Sequence, residues 1–304
     1  MSFATDVKDE LSRVTGECDG CGKAELAALV RSLGTLAMSG QSRRLELASE
    51  SPSVARALIG LLNATYGLEK KLTVRRSTLH KTHNYLVTIP GQPGFDEALA
   101  ELGVVGGGGL SWGVPDELLV RDCCAAAWLR GAFLASGYIA DPKGDFHFEI
   151  TAQSEELADG IVSLMGRLGI RARWCRRHAA FLVYLKGADA ITGFLALVGA
   201  HQGALAMENA RVMKAVRNDT NRRVNAEVAN QAKATRASMA QIERIERLVR
   251  EQGAQVLPDS LREVAVLRVS NPHASISELG QLADPPLTKS AVYHRLRRID
   301  ALLD

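Results

Sequence analysis

No stretch of this 304-residue chain approaches the roughly 20 consecutive apolar residues that a bilayer-spanning helix needs, so no membrane partner is expected. The first residues, MSFATDVKDELSRV, lack a basic stretch followed by an apolar core, so no export signal is expected either. Cysteine is scarce. The five present (Cys18, Cys21, Cys123, Cys124, Cys175) are odd in number and two are adjacent, which argues against a disulfide framework and for a reducing cytoplasm. Charge of one sign is also nearly absent in sum, at +3. Its distribution says more: residues 204–304 hold 16 basic and 12 acidic residues, whereas residues 1–203 hold 21 and 22. The positive excess lies in the last third, where affinity for nucleic acid would use it. A hydrophobic share of 46% with 23% charged residues fits a globular chain with room for two domains.

The first 200 residues repeat at an offset of about 103. Leu26-Ala27-Ala28-Leu29 falls on Leu129-Arg130-Gly131-Ala132, Gly34 on Gly137, Glu46 on Glu149, Ser51 on Ser154 and Leu61 on Leu164. Each copy reads as a helix dense in Ala and Leu (24–38; 124–137), a short strand (43–48; 145–151) and an amphipathic helix with a Ser N-cap (51–66; 154–168). A hairpin (72–78 with 84–89; 171–177 with 181–186) and a third helix (93–102; 188–198) follow. Gly106–Trp112 is a glycine-rich join. The fold class is α+β: two pseudo-symmetric α-β-α-β-β-α repeats, then an all-α domain. The expected boundaries are 1–217 (repeat one 1–104, repeat two 121–203, a closing helix to 217), a polar linker 218–238 and a C-terminal domain 239–304.

Both hairpins are free of acid. Lys70, Lys71, Arg75, Arg76 and Lys81 lie between Glu69 and Asp96; Arg167, Arg171, Arg173, Arg176, Arg177 and Lys186 lie between Asp159 and Asp189. Guarded sheet edges would explain such a pattern. Its recurrence at equivalent places favours a paired basic saddle that follows a phosphate backbone. Arg222 and Arg223 in the polar linker are further candidates for phosphate contact, with a solvated connector as the alternative.

The C-terminal domain reads as four helices. The third starts at Ser277 as N-cap, Asp284-Pro285-Pro286 forces a turn, and Thr288 caps the last helix. Val292, Leu296, Ile299 and Leu303 form its apolar stripe. The opposite face holds Lys289, Ser290, Tyr293, His294, Arg297 and Arg298, donors placed as in a helix that enters a major groove. A basic surface helix of a small bundle is the plainer alternative.

Leu26–Gly34 and Leu129–Gly137 resemble the LAGLIDADG helices of homing endonucleases, whose fold is the doubled repeat. WLRGAFLASGYI (128–139) and ISELGQLADPPLTKSAVYHRLRRI (276–299) resemble the WhiA family of sporulation transcription regulators. That resemblance implies a DNA-binding transcriptional regulator in cell division, chromosome segregation and, in spore-forming relatives, sporulation. It also implies double-stranded promoter DNA as partner, a protein partner in transcription and a place at the cytoplasmic nucleoid; no cofactor or small-molecule substrate is expected. Active endonucleases carry an acid before the last glycine of each motif, and the pair holds divalent metals. Leu33 and Ser136 stand there instead, so no catalytic residues and no enzyme activity are expected. Residual cleavage and a protein-binding role for the repeat are the alternatives.

Cys18-x-x-Cys21 and Cys123-Cys124 each precede a LAGLIDADG-like helix, and Cys21 and Cys124 are symmetry mates by the repeat. Four thiolates suit zinc, and such cysteines also suit a redox sensor. Adjacent cysteines are awkward ligands, and free cysteines often serve as small buried hydrophobes, so no metal is expected.

Overall fold

The computed structural model describes residues 2–39, 42–76, 83–106, 109–111 and 113–302. Lys81, Trp112 and Leu303 lie outside the described residues. The chain divides into two compact units, Met1–Lys214 and Ala215–Asp304.

The first unit opens with α1 (Phe3–Leu11), capped by Ser2, and continues into α2 (Asp19–Leu33). Repeat one then runs β1 (Gly34–Ser39), β2 (Ser42–Ser49), α3 (Pro52–Thr65), β3 (Lys71–Arg76), β4 (His83–Pro90) and α4 (Phe95–Glu101). A short ladder follows, β5 (Val105–Gly106) with β6 (Gly109–Leu110). Repeat two is α5 (Asp122–Ser136), β7 (Gly137–Ile139), β8 (Phe148–Ala152), α6 (Glu155–Arg167), β9 (Ala172–Arg177), β10 (Ala180–Leu185) and α7 (Ala188–Val198). The α+β double repeat is present, with one strand added to each copy. The first helices stop at Leu33 and Ser136, and the motif glycines begin β1 and β7. The residues after Gly34, Thr-Leu-Ala-Met, are mostly helix formers, but pairing Leu36 with Leu45 across the sheet wins over that propensity. Strand orders are equivalent, β1-β2-β4-β3 and β7-β8-β10-β9, antiparallel throughout. The N-caps expected at Ser51 and Ser154 are in place, accepting from the N–H groups of Val54 and Leu157.

Alternation decides which face of each sheet is buried. Phe148, Ile150 and Ala152 of β8 and Val183 and Leu185 of β10 point into the core, as do Leu45, Leu47, Val87 and Ile89 in repeat one. Phe133, Phe148 and Phe194 pack there with ring centroids 4.6–5.7 Å apart. At the centre α2 packs on α5, where Ala28 lies against Gly131; Ala24, Ala27, Ala125 and Ala132 of the two helices are likewise buried. The backbones come so close that a Cβ on Gly131 would stand 2.4 Å from the Glu25 carbonyl oxygen. Larger side chains would force the helices apart.

One ion pair is buried in this seam. Arg130 donates from Nε (2.9 Å) and Nη2 (2.7 Å) to Oε2 of Glu25 on α2, and from Nη1 to the Val198 carbonyl (3.3 Å). Both side chains are about 5% exposed. Burial pushes the Glu25 carboxyl above its usual range, and Arg130 opposes that push.

A single helix, α8 (His201–Gln252), contains the boundary between the units and the whole polar stretch 218–238. Residues 204–252 hold neither glycine nor proline and are rich in Ala, Arg, Glu and Gln, which favours an unbroken helix. The second unit continues with a 3₁₀ turn (Ala254–Val256), α9 (Asp259–Ser270), α10 (Ile276–Leu282) and α11 (Lys289–Asp300). Pro258 is the N-cap of α9. The second core unites Ile245, Leu248, Leu261, Val264, Leu279, Val292, Leu296 and Ile299. Among the described residues no helix is long and apolar enough to cross a membrane.

Replacing Arg130 with Met leaves the Glu25 carboxyl buried without its partner and should cost about 3–5 kcal/mol in chemical denaturation. The double variant Arg130→Met, Glu25→Leu should recover most of that loss. Equal instability of the single and double variants would contradict the pair's assigned role.

Candidate nucleic-acid interface

The helix pair α10–α11 is set by local chemistry. Ser275, not Ser277, caps α10: its Oγ accepts from the Glu278 N–H (3.2 Å), and the Glu278 carboxylate accepts from the Ser275 N–H (2.7 Å). Ser277 is exposed within the first turn, because the Glu three residues after Ser275 completes a capping box that Ser277 cannot form. The connection returns onto α10 where the Leu287 N–H donates to the Gly280 carbonyl (2.8 Å), and a Cβ on Gly280 would lie 2.3 Å from the Leu287 oxygen. Thr288 caps α11 by accepting from the Ala291 N–H (3.3 Å).

Two arginines brace this module from within. Arg268, 2% exposed, donates to the Ser238 hydroxyl (3.0 Å) and the Ala274 carbonyl (2.6 Å), tying α8 and the entry to α10 onto α9. Arg295 on α11 donates to Glu263 (3.1 Å) and to the Ser260 carbonyl (3.1 Å) on α9. The charge pattern alone did not single out Arg268 and Arg295 for these duties; the signal is helical spacing, which places Arg268 in line with Leu261, Val264 and Ala265 of α9 and Arg295 beside the apolar stripe of α11.

Val292, Leu296 and Ile299 bury one side of α11. Lys289, Ser290, Tyr293, His294, Arg297 and Arg298 are all exposed and spread over an arc of about 180° on the other side. From Pro285 to Ile299 there is no acid. This surface offers ammonium, hydroxyl, imidazole and guanidinium donors at the start and along one flank of a helix, a set matched to phosphate oxygens and to acceptors on base edges.

The basic strands are sorted by register. Leu72, Val74 and Arg76 share the side of β3 that pairs with Val87, Tyr85 and His83, the face that carries the core further into the sheet, although all three are exposed at this edge; Lys71, Thr73 and Arg75 lie on the open side. In β9, Trp174 and Arg176 lie on the core side, while Arg173, Cys175 and Arg177 lie on the open side. Arg176 sits over the Phe181 ring at 5.8 Å from the centroid. The adjacent pairs Arg75-Arg76 and Arg176-Arg177 therefore cannot serve one surface, a distinction that alternation along the sequence already contains. Arg171 and Lys186 flank the second hairpin and are exposed. The open sides also carry Glu46, paired with Arg44 (2.7 Å), and Glu149, paired with His147 (3.1 Å). On α8, Arg222 pairs with Asp219 (3.3 Å) and Arg223 is exposed.

At the motif ends, Leu33 packs against the core, and the Ser136 hydroxyl donates to the Thr151 carbonyl (2.8 Å). Neither offers a carboxylate to a divalent ion. Away from these positions, the thiols of Cys18, Cys21, Cys123 and Cys124 all lie within 4.8 Å of one another.

The arrangement is that of a doubled LAGLIDADG-like scaffold joined to a helix-turn-helix module. Three family models match in that order: the WhiA N-terminal LAGLIDADG-like domain over residues 19–105, the WhiA LAGLIDADG-like domain over 125–217 and the WhiA C-terminal HTH domain over 220–303. The chain belongs to the WhiA family. It is 39% identical to the probable cell division protein WhiA of Alkaliphilus metalliredigens, with 100% of this chain and 98% of that protein covered. It is 42% identical to the protein of the same name from Symbiobacterium thermophilum, with the same coverage. Its fold is similar to the crystal structure of full-length DUF199/WhiA from Thermatoga maritima: the TM-score is 0.63 at 23% identity, covering 98% of this chain and 96% of that one.

Replacing Ser275 with Ala should lower stability by about 1 kcal/mol in thermal or chemical unfolding. Ser277→Ala should leave stability nearly unchanged. The reverse order would restore Ser277 as the cap.

Proposed function

We propose that this protein is a DNA-binding transcriptional regulator that reads duplex DNA through α11 and does not cut it. The observation that carries this reading is the acid-free, exposed donor face of α11 opposite a fully buried apolar stripe. Lys289 and Ser290 at the helix start engage phosphate or base edges, Tyr293 and His294 add hydrogen bonds, and Arg297 and Arg298 bind phosphates or guanine acceptors. Thr288 positions the helix, its hydroxyl being committed to the cap. Ser277 remains free for a backbone contact from α10.

The LAGLIDADG-like unit supplies a second, phosphate-dominated contact through Arg75, Arg173 and Arg177 on the open sheet faces, with Arg171 and Lys186 at their ends and Arg222 and Arg223 on α8. Absence of cleavage follows from Leu33 and Ser136, since a two-metal clamp on the attacking and leaving oxygens needs carboxylates there. Cell division is the process named in the relatives. Chromosome segregation, sporulation in spore-forming relatives, a protein partner in transcription and residence at the nucleoid complete the proposed role.

Binding of the intact chain to duplex DNA, measured by anisotropy across a salt series, tests the interface. Lys289→Ala, Arg297→Ala and Arg298→Ala should each weaken affinity by about 1–3 kcal/mol if they touch bases, or lower the salt slope by about 1 if they touch phosphates. Arg75→Ala, Arg173→Ala and Arg177→Ala should lower the slope for all sequences, whereas Arg76→Ala and Arg176→Ala should do so less. An unchanged slope in every α11 variant would refute the reading; an unchanged slope in the sheet variants alone would assign the LAGLIDADG-like unit to a protein partner.

A further inference from the structure

Four of the five cysteines converge where α2 and α5 begin. Cys18 is the N-cap of α2 and Cys21 lies in its first turn; Cys123 and Cys124 lie in the first turn of α5. The Cys18 sulfur stands 3.5 Å from each of the other three, and no two of the four are more than 4.8 Å apart. All four are free thiols, and among the described residues they form the one group with metal-ligating spacing.

We propose that Cys18, Cys21, Cys123 and Cys124 bind one zinc ion. Zinc held by four thiolates at about 2.3 Å in a tetrahedron places its sulfurs roughly 3.8 Å from one another, so Cys18, at 3.5 Å from the other three, need only move out slightly while any pair nearer the 4.8 Å limit draws in. A four-iron cluster puts each thiolate on its own iron and spreads the sulfurs further than this. Disulfides join sulfurs in pairs, whereas the Cys18 sulfur stands equally distant from three others and singles out no one partner. The adjacency of Cys123 and Cys124 is no obstacle, because successive side chains at a helix start diverge and the pair embraces the Cys18 sulfur from two directions.

The surroundings fit an anionic centre. Two helix N-termini meet at the thiols, and their unpaired N–H groups favour the negative charge of four thiolates. Cys21 and Cys124 are buried, whereas Cys18 and Cys123 are half-buried, so one side is shielded and the other open for metal entry. Gly20 leaves the space: a Cβ there would lie 3.1 Å from the Cys124 sulfur. Each repeat contributes two ligands, so the ion would clip the two copies together at the end of their shared helix pair. Cys175, exposed on β9, takes no part.

The test is metal content of the intact chain purified under reducing conditions, together with cobalt substitution of the zinc-stripped wild-type protein. About one zinc per chain is expected, with the intense visible bands of tetrahedral cobalt thiolate on substitution. Chelation should lower the melting temperature and zinc should restore it. Cys18→Ser with Cys123→Ser should abolish zinc binding, and Cys175→Ser should retain it. The wild-type cobalt spectrum decides the matter even if the double variant fails to fold. Absence of zinc and of the cobalt bands, iron in place of zinc, or a disulfide among the four would each overturn the assignment.

Discussion

The close contact of α2 with α5 is the constraint on which the first unit depends. Alanines on both helices and Gly131 against the Glu25 carbonyl let the backbones touch, and the Glu25–Arg130 pair fixes their register. Everything with chemical interest in this unit is placed by that contact. The strands that follow each helix are launched from its C-terminal end, and the four cysteines meet at its N-terminal end. The constraint explains how a LAGLIDADG-like motif persists without its acids. The small residues of the motif serve packing, which every copy of the fold needs, whereas the acid before the glycine serves only metal chemistry. Leu33 and Ser136 are compatible with the first demand and useless for the second.

The second unit uses a different economy. A ten-residue apolar core holds α11 so that one side is buried and the other is all donors. Arg268 and Arg295 are spent inside the module, on Ser238, the Ala274 carbonyl and Glu263. Their commitment leaves Lys289, Arg297 and Arg298 as the exposed cations of that helix. The structural duties of α11 thus fall on Val292, Arg295, Leu296 and Ile299, and its donor face is left exposed.

Much of this was legible in residue order. The offset of about 103 residues, the Ser51, Ser154 and Thr288 caps and the Val292-Leu296-Ile299 stripe all translate directly into structure, because each is a local pattern with one physical reading. The added strands β1 and β7 were hidden: Thr-Leu-Ala-Met favours a helix by propensity, and only pairing with a distant strand makes it extended. The cap of α10 was misplaced by two residues because Ser275 and Ser277 are equal as hydroxyls; Glu278 distinguishes them only through its return bond. The cysteines carry the widest gap. Spacing of 105 residues between Cys18 and Cys123 says nothing of distance, and the repeat suggested symmetry without proving contact. The basic saddle was legible as charge but not as surface, since strand alternation divides neighbouring arginines between two faces.

The central claim, a duplex-reading protein on a scaffold without nuclease chemistry, is tested most directly by one selection. The intact chain is incubated with fragmented genomic DNA and magnesium, and both the retained fragments and their termini are sequenced. Enrichment of a shared sequence with no new ends at or near it is the predicted result. Specific new termini at the enriched sequence, or no enrichment over bulk DNA, would contradict it.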